Sequence, residues 1–291
     1  MKPAPFDYHA PTTAEEAVAM LAELGDTAKL IAGGQSLVPM LALRLAVFEH
    51  LVDLGRVEGL SGIGQADGAV RIGATTTQAD VERSEIVAGA VPLLARTTPL
   101  IGHVQIRNRG TVGGSLAHAD AAAEYPAVAL ALDAELEVLA TTGRRTVAAV
   151  DFFTGLWSTA VGDDELLTAV TFPVWGGRCG FAVREFARRH GDFAIAGAAV
   201  AVELDGDDRV RRGTVALFGL GPSAQRSTPA EAALADVAVD DVDGDEIGRV
   251  ATASLDSVPS DLHGSAAYRR RVGAAMVADA WRAASEEALH G

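Results

Sequence analysis

The stretch IGHVQIRNRGTVGGSLAHADAAAEYP, residues 101–126, decides how the rest of this chain is read. It holds Gly102, Gly110, Gly113 and Gly114, two arginines flanking Asn108 and a run of small residues, with neither a helical nor a strand period. That composition predicts a loop led to a specific place, because glycine adopts positive φ and lets main-chain N–H groups approach a ligand with no Cβ between. At its centre lies Thr111-Val112-Gly113-Gly114-Ser115. A second turn of the same kind, Ala32-Gly33-Gly34-Gln35-Ser36, follows the apolar pair Leu30-Ile31 and precedes Leu37-Val38-Pro39. One Gly-Gly pair is an ordinary tight turn. Two of them, each leaving a hydrophobic strand and carrying a hydroxyl, suit a diphosphate held between backbone amides and hydroxyls.

The bulk properties narrow the field. A net charge of −15 and a pI near 4.8 set the chain against nucleic acid and anionic membrane surfaces, which it would have to approach against repulsion. No apolar run reaches the roughly 20 residues that span a bilayer, and MKPAPFDYHAPTTAEE lacks the apolar core of a signal peptide, so the chain is read as cytoplasmic with no membrane insertion. Cys179 is the only cysteine, which excludes an internal disulfide and a Cys₄ iron–sulfur cluster held by this chain alone. Lysine occurs only at Lys2 and Lys29, so no P-loop exists, and the Rossmann glycine pattern is absent too. Ser36 is not a nucleophile elbow, since Leu37 is followed by Val38 where that motif needs glycine. His118 and Asp120 are two potential ligands without a third in regular spacing, a poor metal site.

Taken in order, Thr13-Ala14-Glu15-Glu16 is a capping box opening a helix with Ala17, Met20, Leu21 and Leu24 on one face. A strand at 29–31, the first glycine turn, a helix through Arg44 and a strand at 51–54 make a small β-α-β subdomain over 1–54. A larger mixed α/β part covers 55–175, with strands at 69–72, 136–139 and 166–172, one helix at 87–95 and another at 127–132. Pro173, Gly176 and Gly177 mark the boundary to an α+β domain over 176–291. That domain reads as three antiparallel strands, 181–186, 195–204 and 210–218, followed by helices from Thr228, 243–255 and 265–289. The fold class is therefore α+β.

Three segments, AGGQSLVPMLALR at 32–44, IRNRGTVGGSLAHADAAAEYP at 106–126 and FARRHGDFAIAGAAV at 186–200, together resemble the FAD-binding medium subunit of the molybdenum hydroxylases. That group includes carbon monoxide dehydrogenase, xanthine dehydrogenase and related bacterial N-heterocycle and ketone dehydrogenases. The segments occur in the family's order and spread along most of the chain. The resemblance implies a two-part FAD-binding domain over 1–175 and cofactor contacts at Leu30, Ile31, Ala32, Gly33, Gly34, Gln35, Ser36 and Leu37. It implies further contacts at Thr111, Gly113, Gly114 and Ser115 on the phosphates, and at Ile101 and Leu167 against the adenine or isoalloxazine ring. Glu124 takes the place of the family's acid that accepts from ribityl or ribose hydroxyls; by pattern alone it is a first-turn helix acid. Arg107 and Arg109 either neutralise phosphate or meet an acidic partner. Some relatives bring a lysine or an aromatic to the flavin near the third segment, and this chain has Arg184 and Glu185 there without a lysine.

The implied activity is that of a flavoprotein electron-transfer subunit with no substrate-oxidising centre of its own, in which no side chain need act as acid or base. Its implied partners are a molybdopterin-bearing large subunit, a [2Fe-2S] small subunit and an external electron acceptor, in a dimer of heterotrimers. Two other functions would use the same loops: a stand-alone flavin oxidase or reductase, and a docking subunit whose glycine loops hold nothing.

Overall fold

A computed structural model describes residues 2–291. At the N-terminus, β1 (Asp7–His9), β2 (Ala28–Ile31) and β3 (His50–Asp53) form a parallel sheet in the order β1-β3-β2. Helix α1 (Ala14–Leu24) opens with the expected capping box, Thr13 accepting from the Glu16 amide while Glu16 reaches back to Thr13, and it ends at Gly25, whose φ of 60° no other residue adopts as readily. Its face of Ala14, Ala17, Val18 and Leu21 packs with Val52, Leu54, Leu139 and Leu166, so α1 sits between the small sheet and the next one. The first glycine turn leaves the carboxyl end of β2 and enters α2 (Leu37–Ala42).

The second sheet is five-stranded and antiparallel throughout: β4 (Ile63–Ala66), β5 (Ala69–Gly73), β6 (Glu135–Ala140), β7 (Gly143–Ala148) and a last strand, Leu166–Pro173, lie in the order β4-β5-last-β6-β7. β4 was not expected, although Asp67-Gly68, both at positive φ, is the two-residue hairpin signal that announces it. Between β5 and β6 the chain makes α3 (Gln78–Arg83), α4 (Glu85–Ala90), α5 (Pro92–Thr97), α6 (Val104–Arg107), α7 (Val112–His118) and α8 (Glu124–Ala131). The single helix expected at 87–95 is two, because Val91 leaves the helical region (φ −135°, ψ 63°) ahead of Pro92. The loop expected over 101–126 is largely helical. α7 is pressed so tightly on Ala74 that a Cβ on Gly113 would lie 2.4 Å from that of Ala74, with Val112 and Leu116 its only large buried side chains, and α8 is buried on every side and so presents no apolar stripe. After β7 come α9 (Ala149–Phe152), the two-stranded ribbon β8 (Phe153–Gly155) and β9 (Ser158–Thr159), and then the last strand of the sheet, β10.

The third sheet joins β11 (Arg178–Phe186), β12 (Ala196–Leu204) and β13 (Val210–Phe218) as the expected antiparallel meander, and adds a two-residue edge strand, β14 (Gln225–Arg226), that a sequence pattern is too short to reveal. α10 (Thr228–Leu234), α11 (Gly244–Ala253) and α12 (Ala266–His290) complete the chain. One face of this sheet, with Ala182, Val200, Val202 and Leu217, packs on α12 through Val277, Trp281 and Ala284, and α11 packs in turn on α12. The other, with Phe181, Val183, Ala199 and Phe218, joins the same core as α8 and the five-stranded sheet. Thr214 donates to the Ala131 carbonyl at the end of α8 (2.8 Å), and Asp133 is bridged by Arg212 and Arg226, whose sheet is thereby tied to α8.

α12 approaches β11 at Gly180, where a Cβ would lie 1.8 Å from the Ala284 carbonyl oxygen. Gly180→Val forces the helix off the strand and is expected to cost about 1–3 kcal/mol in chemical denaturation. Wild-type stability in that variant would contradict the packing.

Candidate functional site

Gly33 is where the two glycine segments meet. A Cβ at this position would lie 2.0 Å from the Arg109 carbonyl oxygen and 2.9 Å from Gly110 Cα, so only glycine allows the first turn to lie on the second segment. Ala32 faces Gly114, its Cβ 4.0 Å from where a Cβ of Gly114 would stand. Gly34 follows with φ of 72°, and Ser36 lies in the right-handed region (φ −95°, ψ −47°). Such reversals turn successive amides to one side, the geometry of an anion-binding nest.

The amides themselves separate the two loops. Among the described residues, the N–H groups of Gly33, Gly34, Gln35 and Ser36 donate to nothing in the chain, and these residues are all partly solvent-accessible. Ser36 makes no capping bond to α2, so its hydroxyl is also available. In the second loop every comparable amide is engaged: Val112 to the Thr76 carbonyl (3.0 Å), Gly113 to Ala74 (2.8 Å), Gly114 to the Thr111 hydroxyl (3.0 Å) and Ser115 to the Thr111 carbonyl (3.1 Å). Thr111 is thus the N-cap of α7. This loop offers a ligand side chains and a close apolar wall, the half-buried Ser115 hydroxyl first among them, in place of amide donors.

The segment behind the second loop escaped the sequence reading. Ala74 and Thr76 accept from α7, Gln78 donates its amide to the Gly110 carbonyl (2.8 Å), and Thr77 bridges Thr111, so the strand end after β5 is the seat on which the loop rests. Arg107 also differs from expectation. It is buried, forms a two-pronged pair with Glu82 (2.8 and 3.1 Å) and donates to the carbonyls of Ile101 (3.1 Å) and Gly102 (3.2 Å). Its charge is spent inside the protein, and what it does is fix the turn that carries Ile101. Arg109 stays exposed.

Ile101 is buried beside this turn, and Leu167 lies in β10 opposite Val138, beneath α7. Leu30 and Ile31 occupy the end of β2, and Leu37 begins α2. The third matched segment comes to the same place through two glycines: a Cβ on Gly191 would meet the Gly102 carbonyl at 2.8 Å, and Gly219 donates to Ala121 (2.7 Å) while backing on Ala194. His118 stacks on Trp157 (6.3 Å between centroids, 11°), Asp120 accepts from the same indole, and burial pushes the His118 pKa down. Among the described residues no three His, Cys, Asp or Glu side chains are arranged to hold a metal ion.

Glu124 opens α8 and is only 8% exposed. Burial, with a smaller push from Glu185 and Asp120, raises its pKa to about 8, while its own backbone N–H favours the ionised form. No cation pairs with it among the described residues. A buried carboxyl so placed is a strong acceptor for any hydroxyl that reaches it.

An elongated dinucleotide is the ligand these features fit: four free amides and two hydroxyls for its diphosphate, a close wall that only small residues permit, and a buried acid for its sugar hydroxyls. Residues 4–175 match the family described as the FAD binding domain in molybdopterin dehydrogenase, and 181–284 match the CO dehydrogenase flavoprotein C-terminal domain. The chain is 42% identical to the 6-hydroxypseudooxynicotine dehydrogenase complex subunit alpha of Paenarthrobacter nicotinovorans, over 95% of this chain and 93% of that one. It is 37% identical to the carbon monoxide dehydrogenase medium chain of Hydrogenophaga pseudoflava, over 98% of each. A solved structure of carbon monoxide dehydrogenase from that organism, in a form lacking the Mo-pyranopterin moiety of the molybdenum cofactor, superposes with a TM-score of 0.94 at 39% identity, covering 99% of both chains.

Gly33→Val drives the first turn off Arg109 and Gly110. It is expected to weaken FAD binding by at least about tenfold, the equivalent of about 1.4 kcal/mol, in a fluorescence titration of the flavin-free chain. An unchanged affinity would mean that the contact between the loops does not shape the site.

Proposed function

This chain belongs to the family of FAD-binding medium subunits of the molybdenum hydroxylases, and we propose that its FAD lies along the cleft where the first glycine turn rests on the second, with the diphosphate at residues 33–36. The observation that carries this placement is the unbroken run of four amides without acceptors, held in position by a backbone contact that only Gly33 permits. The chain is the flavoprotein subunit of an oxidoreductase, homologous to the medium chains of molybdenum-dependent dehydrogenase complexes.

Bound FAD supplies the redox chemistry, and the protein supplies binding, orientation and electrostatics. The amides of Gly33, Gly34, Gln35 and Ser36 hold the diphosphate, joined by the Ser36 and Ser115 hydroxyls. Glu124 accepts from ribityl or ribose hydroxyls. Ile101, fixed by Arg107, and Leu167 back the rings, and Leu30, Ile31, Ala32, Leu37, Thr111, Gly113 and Gly114 shape the walls. The natural division of labour is an FAD-binding part over 1–175, itself parted near residue 54, and a C-terminal part over 176–291.

Electrons reach this chain from a [2Fe-2S] small subunit and originate at a molybdopterin-bearing large subunit, where the substrate is oxidised. They leave for an external acceptor. The complex assembles as a dimer of heterotrimers and works in the cytoplasm; among the described residues no helix is long and apolar enough to cross a membrane. This chain's one thiol, half-buried at Cys179 with its pKa pushed to about 11 by burial, suits neither a cluster nor redox exchange.

Purification of the tagged chain from its native host, followed by absorbance spectroscopy and mass spectrometry, tests this reading. A flavin band that bleaches on addition of reductant, with two co-purifying subunits carrying molybdopterin and iron–sulfur centres, is the expected result. A chain that arrives without flavin and cannot be reconstituted with FAD would overturn it.

A further inference from the structure

Arg269, at 5% exposure, is the most deeply buried charged side chain among the described residues. It stands near the start of α12, where one guanidinium nitrogen donates to the carbonyls of Ile195 (2.6 Å) and Gly219 (3.1 Å). Another donates to both carboxylate oxygens of Asp261 (2.9 and 2.7 Å), the one acid that pairs with it among the described residues. Asp261 is held in turn, accepting from the His263 amide (2.8 Å) while its backbone pairs with Gly264. A buried cation persists only where an anion and hydrogen bonds replace water, so the whole arrangement depends on Asp261.

Both carbonyls lie where the C-terminal part touches the cofactor-binding part. Gly219, just past β13, donates its amide to the Ala121 carbonyl (2.7 Å), and its φ of 72° lets it back on Ala194 and Ile195, whose carbonyl oxygens a Cβ would meet at 2.8 and 3.0 Å. Ala121 belongs to the turn that delivers Glu124. Because α8 has no side-chain cap, that turn sets where Glu124 stands, and Asp120 closes it by accepting from the amides of Ala122 (2.8 Å) and Ala123 (3.1 Å). Ile195 ends the link 187–195 between β11 and β12, and Gly191 in that link rests on Gly102, next to Ile101. The base of the link is closed by the Ile195 amide donating to the Phe186 carbonyl (2.8 Å). The Phe186 ring meets Tyr268, the residue before Arg269, edge-on (6.4 Å between centroids, 75°). One guanidinium thus ties together the two contacts behind Ile101 and Glu124.

We propose that Arg269, charge-balanced by Asp261, is a positioning residue of the cofactor site: it touches no ligand and holds the Ala121 turn and the 187–195 link in the geometry that FAD requires. The inference rests on the FAD reading above. Further along α12, Val277, Trp281 and Ala284 secure the helix on the third sheet. Loss of the ion pair therefore loosens the clamp without dismantling the domain. A site that is correctly shaped for only a fraction of the time binds with its affinity reduced by that fraction. Such a clamp acts on FAD affinity and on the surroundings of bound flavin, and a merely structural ion pair acts on neither.

Asp261, whose side chain is 44% exposed, is the position that can be changed with least disturbance to the core. Asp261→Asn leaves the buried guanidinium without its anion. In a fluorescence titration of the flavin-free full chain it is expected to raise the FAD dissociation constant roughly three- to tenfold, as if that much less of the chain were competent. The visible circular dichroism of the bound flavin changes with it, and Asp261→Glu, which keeps the charge, restores much of both. Arg269→Lys, which keeps the charge with fewer donors, falls between Asp261→Asn and wild type. Arg282→Gln, which breaks an exposed ion pair to Asp245 on the same helix, leaves both readouts at wild-type values. Wild-type affinity and dichroism in Asp261→Asn, even with a lower melting temperature, would overturn the proposal while leaving the FAD site intact. A wild-type chain that binds no FAD would overturn both.

Discussion

The backbone of Arg109 and Gly110 lying on Gly33 is the contact on which the rest of this molecule depends. It joins a turn at the end of a parallel strand to a turn ahead of a helix, from two sheets with separate topologies. No side chain fits there, so the position is fixed by what is missing. With the second loop seated on Ala74, Thr76 and Gln78, its amides are consumed, and the first turn, which rests on it, keeps its own free. One loop is a brace and the other a receptor, though their sequences look alike.

The same principle extends outward. Gly191 on Gly102 and Gly219 on Ala194 bring the third segment to the second, and α8, buried on every side, fills the space between the two antiparallel sheets. Close backbone contacts give little room for adjustment, since protein interiors are packed as densely as organic crystals. That rigidity suits a protein whose task is to hold a cofactor at a fixed place relative to partner centres. It also buries one acid, Glu124, at the start of α8.

Much of this was legible in the chain. The capping box of α1, the strand–turn–helix around Gly33, the meander of the third sheet and the long final helix all announce themselves by period or by punctuation. The helices α6 and α7 inside 101–126 do not, because four and seven residues are too short for a period to show, whereas α8 is legible at 127–132 though not from its first residue, Glu124. Arg107 reads as a surface cation in IRNRG, and only the fold reveals Glu82 and two carbonyls waiting for it.

Hydrogen–deuterium exchange read at single amides, with and without FAD, addresses the difference between the two loops most directly. The account predicts that the amides of residues 33–36 exchange freely in the flavin-free chain and become strongly protected when FAD binds, while those of 112–115 are protected in both states. Protection appearing at 112–115 with 33–36 unchanged would contradict it.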